Sequence, residues 1–484
     1  MSAKAHGYIT GMGAWIPRLR LARTTIANAT AWANPGANAQ AKGSRAFCNW
    51  DEDAITMAVE AGRGALLDRR VTAAAFAPTA VSLASTTLPF ADRDNAGLVA
   101  AALDAHAQTA TLNVAGSMRA GTSALIQACQ SSQASLVIGS DARTTQCASP
   151  QEMSYGHGAA ALCVEPAAAP AETLATVLGF AQIAADFVDH YRMSGQPFDY
   201  ALEERWIRDE ALAKFPLDAI GRALTQANIS AEQVKHFVMP GNASAIKRIA
   251  QIAGLKNAQL TDALHTDCGD TGAAHALLML VRTLEQAATD DLIVMAALGQ
   301  GVDALVLRAG ARPRSQPVAQ ALARRCEEPH YVRYLSHNNL VDVAFGMRAE
   351  RDNRTAQSVA WRRRRATTAF VGGRCTRCAT VQFPLARVCV NPDCRETDTQ
   401  EEYRFADSYG RVKTFTEDWQ AYTARPPYIY GNVGFAEGGN LFMEFTDLEA
   451  GELGVGDELR FVFRIKDVDK LRGFRRYFWK ACKA

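Results

Sequence analysis

The stretch GGRCTRCATVQFPLARVCVNPDC, residues 372–394, decides the fold of the C-terminal part of this chain. It spaces Cys375, Cys378, Cys389 and Cys394 as C-x2-C-x10-C-x4-C. Two close pairs of thiolates can complete the tetrahedron of soft ligands that Zn²⁺ prefers, so the spacing predicts a structural zinc ribbon. Two disulfides are the alternative, which is disfavoured because the other cysteines have no framework spacing of the kind seen in secreted proteins.

Composition limits the classes of protein to be considered. The chain has 484 residues, of which 48% are hydrophobic and 21% charged, with a formal net charge of +2. This allows a large core and more than one domain, and gives no long-range field that would attract nucleic acid or a membrane. The N-terminus lacks a basic segment followed by an apolar one, and no stretch approaches the roughly 18 apolar residues of a membrane span. We therefore expect a cytoplasmic protein with no nucleic-acid or membrane partner.

Up to about residue 310, short β-rich runs such as SLVIGSDA alternate with alanine-rich stretches such as RAGTSALIQACQSS. This alternation predicts a layered α/β fold with buried sheets. Within it, Ile55, Val59 and Leu66 recur near helical spacing. They predict a helix over residues 52–67, with Asp51 as its N-cap.

The composition changes beyond residue 310. Residues 311–370 predict a linker with short helices, and the run Arg362 to Arg365 is either a solvated face or a contact for the phosphates of CoA or nucleic acid. After the ribbon, residues 371–398, five short β-forming runs separated by Gly, Asp and Pro predict a small barrel of the OB type over residues 399–484. Carboxylates alternate with the aromatic residues of this barrel, which disfavours binding to a phosphate backbone.

Five motifs follow one another in the C-terminal third: WRRRRATTAFVGGRCTRCATVQFPLARVCVNPDC, GRVKTFTEDW, PPYIYGNVGF, LGVGDELRFVFR and YFWKA. In this order they resemble the DUF35 family of zinc-ribbon/OB-fold proteins associated with acyl-CoA enzymes, over about residues 325–484. The resemblance implies a domain that lies against thiolase-type enzymes and shelters CoA or the acyl intermediate.

Six segments of the N-terminal part carry a second resemblance to a known family: GYITGMGAWIPRLRL, DEDAITMAVEAGRGAL, VIGSDART, SYGHGAAALCV, DFVDHYRMSGQPFDYALEERWIRD and ALGQGVDALVL. With these segments, residues 5–310 resemble, more distantly, the 3-hydroxy-3-methylglutaryl-CoA synthase and ketoacyl synthase III branch of the thiolase superfamily. The resemblance implies a thiolase-like domain over residues 1–310, with the five-layered αβαβα fold built from two similar halves, and a dimer.

The chain departs from this family at each catalytic position. The family uses a cysteine thiolate at a helix N-terminus, together with a histidine and an acid or asparagine. The family's cysteine segment is similar to AGSMRAGTSAL in this chain, which places Met118 at the position of the nucleophilic cysteine. The position of the family's glutamate falls near Thr86 in SLASTTLPF. The histidine segment is similar to HFVMPGNASAIKRIA, which places Val238 or Met239 there, and the asparagine segment CGDTGAAHAL places Asp270. The resemblance therefore implies a degenerate site.

Ser117, beside Met118, is one replacement for the nucleophile, but the sequence indicates no general base for it. Four other residues could restore the site only if the fold brings them together: Cys129, Cys147, His157 and His275. We expect a subunit of an acyl-CoA complex that forms or thiolytically cleaves carbon–carbon bonds, with the catalytic cysteine on a partner thiolase in a hetero-oligomer. The candidate contacts for CoA phosphates are Lys247, Arg248, Arg362 and Arg363. Two alternatives stay open: a self-sufficient condensing or acyltransferring enzyme of the hydroxymethylglutaryl-CoA synthase type with an unrecognised nucleophile, and a nucleic-acid-binding OB module.

Overall fold

A computed structural model of the chain describes residues 5–73, 76–201, 204–312, 315–344 and 356–484. The chain divides into two compact units: a first unit of Met1–Cys48, Asp53–Ala100 and Ala105–Tyr334, and a second unit of Asn49–Glu52, Ala101–Asp104 and Leu335–Ala484. Two short segments from the N-terminal part of the sequence thus belong to the second unit. The finer division at residues 310, 370 and 398 stays a prediction.

Strands and helices alternate along the first unit. Its strands are β1 (Gly7–Trp15), β2 (Leu19–Ala22), β3 (Ser44–Ala46), β4 (Ala80–Ala84), β5 (Ala110–Val114), β6 (Ser135–Ala142), β7 (His157–Glu165), β8 (Ala175–Ala184), β9 (His190–Tyr191), β10 (Tyr200–Ala201), β11 (Val234–Val238), β12 (Gln259–Leu260), β13 (Leu292–Leu298), β14 (Gly301–Ala309) and β15 (Cys326–Glu327). The helices that begin in it are α1 (Arg23–Thr30), α2 (Ala54–Arg70), α3 (Asn95–Ala102), α4 (Ala120–Gln130), α5 (Pro150–Ser154), α6 (Glu204–Trp206), α7 (Phe215–Ala227), α8 (Ala243–Ile252), α9 (His275–Gln286), α10 (Pro317–Ala323) and α11 (Tyr331–His337).

Ten strands of the first unit hydrogen-bond in the order β12-β11-β13-β14-β8-β1-β7-β6-β4-β5. The order contains the same topology twice, in the sets β1-β4-β5-β6-β7 and β8-β11-β12-β13-β14. In each set the second strand is parallel to the third and fourth, and the fifth is antiparallel to the fourth and first. The sets meet where Gly7, Tyr8 and Ile9 of β1 pair with β8. The two similar halves predicted from the sequence are confirmed.

The helices form layers on the two sets of strands. Helices α4 and α9 pack on each other and on strands of both sets, and their buried residues share one core cluster with both sets. Helix α2 packs on β1, β6 and β7, while α7 and α8 belong to a separate apolar cluster with β8, β11, β13 and β14. Each apolar helix face is thereby buried against a sheet, which gives the predicted αβαβα layering.

The N-terminus of α2 differs from the sequence-based expectation. Asp53 caps this helix, because its Oδ1 accepts hydrogen bonds from the backbone N–H groups of Ile55 (3.0 Å) and Thr56 (3.1 Å). The prediction that Asp51 is the cap is wrong, since the Asp51 carboxylate instead accepts a hydrogen bond from Thr446 Oγ1 (2.9 Å) in the second unit, to which both residues belong.

The second unit contains the cysteine-rich ribbon and a barrel. Its helices are α12 (Gln357–Arg362) and α13 (Arg364–Thr367), and its strands are β16 (Val371–Cys375), β17 (Val381–Gln382), β18 (Gln400–Arg404), β19 (Gly410–Asp418), β20 (Tyr428–Gly434), β21 (Asn440–Glu444), β22 (Glu458–Asp469) and β23 (Phe474–Lys483). The ribbon sheet has the order β17-β16-β18, and the barrel sheet has the order β21-β20-β19-β22-β23. A parallel bridge between Phe445 and Ala481 joins the two edges. The resulting cyclic order, first-second-third-fifth-fourth, is that of the predicted OB barrel.

Aromatic packing ties the start of the ribbon to the barrel. The ring of Phe370, the residue before β16, lies 5.3 Å from the ring of Phe461 and 5.9 Å from that of Trp479. Trp479 is fully buried, and its Nε1 donates a hydrogen bond to the carbonyl oxygen of Thr368 (2.8 Å). Ribbon and barrel therefore share a core. Within the described ranges of the whole chain, no helix is long and apolar enough to cross a membrane.

Candidate functional site

The four ribbon cysteines come together in the second unit. The Sγ atoms of Cys375, Cys378, Cys389 and Cys394 all lie within 4.8 Å of one another. The separation is 3.9 Å between Cys375 and Cys394, and 3.5 Å between Cys378 and Cys389. Four sulfurs around one Zn²⁺ at about 2.3 Å are about 3.8 Å apart, so this cluster has the size that a single tetrahedral metal ion requires.

Two turns place these thiols. The backbone N–H of Ala379 donates to the carbonyl of Cys375 (2.8 Å), and that of Cys394 donates to the carbonyl of Asn391 (3.1 Å). Ala379 has a φ of +62°, so the first turn uses the left-handed region without a glycine. The hydroxyl Oγ1 of Thr399 lies 3.2 Å from Cys375 Sγ, where it can donate to a thiolate and orient it.

The four positions predicted for the thiolase-like site lie at equivalent points of the two halves. Thr86 follows β4, and Met118 lies between β5 and α4; Met239 follows β11, and Asp270 lies between β12 and α9. Because β4 and β5 are parallel neighbours, as are β11 and β12, the positions of each half follow the carboxyl ends of adjacent strands. Ligands of open α/β sheets bind at such ends.

Asp141 organises the loop around Thr86. This carboxylate is fully buried and accepts hydrogen bonds from Ser85 Oγ (2.9 Å), Thr86 N (2.7 Å), Thr86 Oγ1 (3.0 Å), Thr87 Oγ1 (2.8 Å) and Ala273 N (2.7 Å). It thereby connects the loop after β4 to the turn before α9. Sequence reasoning missed Asp141, although an acid at the end of the apolar run VIGSDA is the signal that could have found it.

The backbone around Met118 is held by polar neighbours. Ser117 Oγ donates a hydrogen bond to the carbonyl of Gly299 (2.7 Å), and Arg119 Nε donates to the same oxygen (3.1 Å). Arg119 also pairs with the fully buried Asp303 (2.9 Å). A Cβ at Gly299 would lie 3.1 Å from Met118 N and 2.9 Å from Arg119 N, so only glycine allows this close approach.

The hairpin of β9 and β10 adds a second polar group near Thr86. Arg192 of this hairpin donates to the carbonyl oxygen of Thr86, while Asp199 pairs with Arg143. Tyr155 accepts from Arg143 Nη2 (2.7 Å) and donates to Asp199 Oδ2 (3.1 Å). Burial raises the pKa of Tyr155 despite the nearby guanidinium, so the phenol is protonated at neutral pH. None of these residues was predicted, because their proximity depends on the hairpin.

Two of the candidate replacements are remote or occupied. Cys129 lies at the C-terminal end of α4, about 15 Å along the helix from the end next to Met118, and burial raises its pKa to about 12. His157 is fully buried, and burial, with a contribution from Arg45, lowers its pKa to about 3. Its Nδ1 accepts from the backbone N–H of Cys48 (3.0 Å).

The remaining candidates also have other surroundings. His275 begins α9 and its Nδ1 accepts a hydrogen bond from the backbone N–H of Thr271 (3.2 Å). Cys147 is exposed. Val238 lies in the central core cluster with α4 and α9, whereas Met239 lies in the outer cluster with α7 and α8. On either alignment an apolar side chain thus lies at the end of β11 or directly after it.

The four predicted phosphate contacts are exposed. Lys247 and Arg248 lie on α8 in the first unit, whereas Arg362 and Arg363 lie at the end of α12 in the second unit. The other two arginines of the run have partners. Arg364 lies 3.7 Å above the ring of Trp361, and Arg365 forms ion pairs with Asp104 and Glu402.

Similar proteins are known for both parts of the chain. The hydroxymethylglutaryl-CoA synthase of Aeropyrum pernix is 28% identical over 334 residues, which are 66% of this chain and 91% of that protein. The corresponding synthase of Methanosarcina mazei is 25% identical over 354 residues, 69% of this chain and 99% of that protein. A DUF35 domain-containing scaffold protein of Methanothermobacter thermautotrophicus is 29% identical over 100 residues, 20% of this chain and 71% of that protein. No protein-family model matches the chain.

Solved structures share the fold of the first unit. The 3-oxoacyl-(acyl carrier protein) synthase III of Pseudomonas aeruginosa has a TM-score of 0.55 at 19% identity and covers 64% of this chain and 99% of its own. A hydroxymethylglutaryl-CoA synthase complexed with CoA has a TM-score of 0.53 at 15% identity and covers 67% of this chain and 88% of its own. The predicted resemblance is therefore confirmed: the chain joins a thiolase-like fold, similar in sequence to hydroxymethylglutaryl-CoA synthases, to a C-terminal segment similar to DUF35 scaffold proteins.

Proposed function

We propose that this chain is a subunit of a complex that forms or thiolytically cleaves carbon–carbon bonds of acyl-CoA, and that the acyl-accepting cysteine belongs to a partner thiolase. The similarity to hydroxymethylglutaryl-CoA synthases and to DUF35 scaffold proteins supports acyl-CoA chemistry. The observation that carries the subunit role is the methionine, Met118, at the start of α4.

The start of α4 would suit a nucleophilic thiolate. Partial positive charge at a helix N-terminus stabilises an anion, which is why thiolates at such positions have lowered pKa values. Met118 cannot use this field, because a thioether has no proton to lose and forms no hydrolysable thioester. The adjacent residue, Ser117, has a hydroxyl that donates a hydrogen bond to the carbonyl oxygen of Gly299. A serine nucleophile would also need a base beside it.

Of the other three positions only Asp270 can act as a base, and among the described residues the Ser117 hydroxyl donates its hydrogen bond to the carbonyl of Gly299 and not to Asp270. The hydroxyl of Thr86 donates a hydrogen bond to Asp141. Val238 and Met239 are apolar. Asp270 accepts a hydrogen bond from the backbone N–H of Gly272 (2.8 Å) through Oδ1. Since nucleophile and histidine are both absent from these positions, we assign covalent acyl transfer to the partner and binding of the acyl-CoA to this chain.

Charge and exposure support a role in binding. Lys247, Arg248, Arg362 and Arg363 are exposed cations, which can meet the phosphates of CoA. Arginine is suited to bidentate phosphate recognition, and lysine binds phosphate as a point charge. We propose Lys247 and Arg248 of the first unit, and separately Arg362 and Arg363 of the second unit, as contacts for CoA phosphates.

The edge of the ten-stranded sheet supports self-association. Strand β5 ends the sheet order, and Leu112 on this strand is 56% exposed. An open edge strand with an exposed apolar residue favours pairing with another strand. We propose that two copies pair through β5 and that this dimer binds the partner thiolase, which gives a hetero-oligomer.

We assign Zn²⁺ to the cluster of Cys375, Cys378, Cys389 and Cys394. Four thiolates with tetrahedral spacing form a closed site, and such sites are structural because no position is left for a substrate. Here the ion would tie the two turns of the ribbon together.

The missing nucleophile is tested by intact-mass spectrometry after incubation with acetyl-CoA. We expect an unchanged mass for the natural chain and an acyl adduct for Met118→Cys, because that variant restores a thiol at the start of α4. Met193→Cys is the matched control, since Met193 is 61% exposed and lies outside the four positions. An adduct on Ser117, Cys129 or Cys147 of the natural chain would overturn the proposal and favour a self-sufficient enzyme.

The subunit role is tested by purifying the tagged chain from its native cells. We expect a cysteine-bearing thiolase to co-purify, and its thiolase activity to fall when this chain is removed. Full activity of that thiolase without this chain, or a native mass showing only the monomer, would contradict the proposed hetero-oligomer. Salt-dependent binding of the chain to single-stranded DNA would instead favour the nucleic-acid module.

A further inference from the structure

The second unit contains a cavity that is separate from the cysteine cluster. Its volume is about 370 Å³, within the range of sites for small molecules. Five aromatic side chains line it: Tyr428, Tyr430, Phe442, Phe478 and Trp479. Five rings around one cavity offer flat apolar faces on which a ligand can pack.

Three of the rings form a row across two neighbouring strands. The centroids of Tyr428 and Tyr430 on β20 are 5.2 Å apart, and those of Tyr430 and Phe442 are 5.6 Å apart across β20 and β21. Phe442 is 63% exposed although it is fully apolar. These are the second and third strands of the barrel, and OB folds use this face to bind ligands.

The charged groups at the cavity already have partners. Glu444 pairs with Lys466, and its other oxygen lies 3.2 Å from Lys480 Nζ. Burial alone would raise the pKa of Glu444, but the two lysines hold it at about 2, so the carboxylate is ionised and neutralised. Asp418 accepts hydrogen bonds from the backbone N–H groups of Gln420 (2.8 Å) and Ala421 (3.1 Å). Among the described lining residues the cation, Lys466, is thus paired, so the cavity offers no free positive charge to an anionic ligand.

We propose that the cavity binds an uncharged planar ring, which packs against the row of Tyr428, Tyr430 and Phe442. Aromatic pairs gain more than their buried area alone provides, which corresponds to about a 3- to 10-fold preference for a flat ring over a puckered one. The ring can come from two sources, an aryl group of an acyl chain or the purine of a nucleotide. The inference does not depend on Met118 or on the partner thiolase.

Ligand-observed NMR titration of the full chain tests this proposal with two matched probes, benzamide and cyclohexanecarboxamide. We expect benzamide to bind about 3- to 10-fold more tightly, because only its ring is flat. Adenosine forms a separate arm, and the tighter of adenosine and benzamide identifies the source of the ring. Phe442→Leu keeps apolar bulk but removes the exposed ring, so it should abolish the preference for the flat probe.

Tyr409→Leu is the matched control, because Tyr409 is 61% exposed and lies outside the cavity lining; this variant should bind as the natural chain does. Melting temperatures of both variants verify that the chain remains folded. Equal affinity for the two amides, or a preference that survives Phe442→Leu, would overturn the proposal. So would tighter binding of a thymidine 12-mer with a strong salt dependence, since that result identifies a nucleic-acid strand as the ligand.

Discussion

The cysteine cluster and the four strand-end positions are both sets of four residues, but the chain encodes them differently. The cluster lies within residues 375–394, and two local turns bring its thiols within 4.8 Å of one another. The strand-end positions extend from Thr86 to Asp270, and only the completed sheet places them at equivalent points of its two halves. A group of functional residues can thus be recognised from local sequence when its members are close together in the chain, but not when only the folded sheet relates them.

The two sets also differ in how their polar groups are satisfied. The thiols of the cluster lie next to one another. When they ionise, their four negative charges are neutralised only if a metal cation binds between them. At the strand ends, Asp141 accepts the hydroxyls of Ser85, Thr86 and Thr87, and Asp199 pairs with Arg143. The first region should therefore depend on a metal for its stability, whereas the second should depend on its own hydrogen bonds.

Metal removal tests the first half of this comparison and has the largest expected effect. We expect one zinc ion per chain by elemental analysis, and loss of ribbon structure on chelation or in Cys375→Ser, because structural zinc contributes about 10–16 kcal/mol to folding. Limited proteolysis should cut the second unit and leave the first unit largely intact. Cys147→Ser, at an exposed cysteine outside the cluster, should leave the ribbon unchanged. An intact second unit with substoichiometric zinc would contradict the prediction.

Local patterns carried most of the fold prediction. The spacing of the four cysteines predicted the cluster, and the five β-forming runs after it correspond to β19, β20, β21, β22 and β23. The alternation of strands and helices predicted the layers, because a helix or strand with one apolar face must bury that face against a neighbour. Resemblance to known families then supplied the topology, which no local pattern contains.

Pairings between distant segments were beyond the sequence. Asp51 and Asp53 are both suitable caps for α2, and only the structure shows that Asp53 caps the helix while Asp51 bonds to Thr446. The contact between Asp199 and Arg143 likewise depends on the path of the β9–β10 hairpin. Such contacts join residues far apart in sequence, so neither periodicity nor spacing indicates them.

The second half of the comparison is tested by Asp141→Ala. This change removes the acceptor of two buried donors, Ser85 Oγ and Ala273 N, and of the half-buried hydroxyl of Thr87. Leaving these donors unsatisfied should lower the free energy of unfolding of the first unit by about 3 kcal/mol. Urea denaturation measures the effect. Asp218→Ala is the control, because Asp218 is an exposed acid that pairs with Arg222 in the first turn of α7, and its loss should cost less than about 1 kcal/mol. A stability equal to that of the natural chain would show that the network contributes little.

The smallest effect concerns the protonation of His157, whose Nε2 lies 3.1 Å from the carbonyl of Arg143 beside the strand-end network. Burial lowers the pKa of His157 from 6.5 to about 3. Between these values the unfolded chain binds a proton that the folded chain does not, so stability is lost as the pH falls from about 6.5 towards 3. His157→Asn removes this proton uptake, and between pH 6 and 5 the first unit of the natural chain should lose about 1 kcal/mol more than the variant in urea denaturation. His106→Asn, at an exposed histidine, is the control and should keep the pH dependence of the natural chain. If the free energy of unfolding of His157→Asn changes with pH as steeply as that of the natural chain, the imidazole of His157 is protonated in the folded chain.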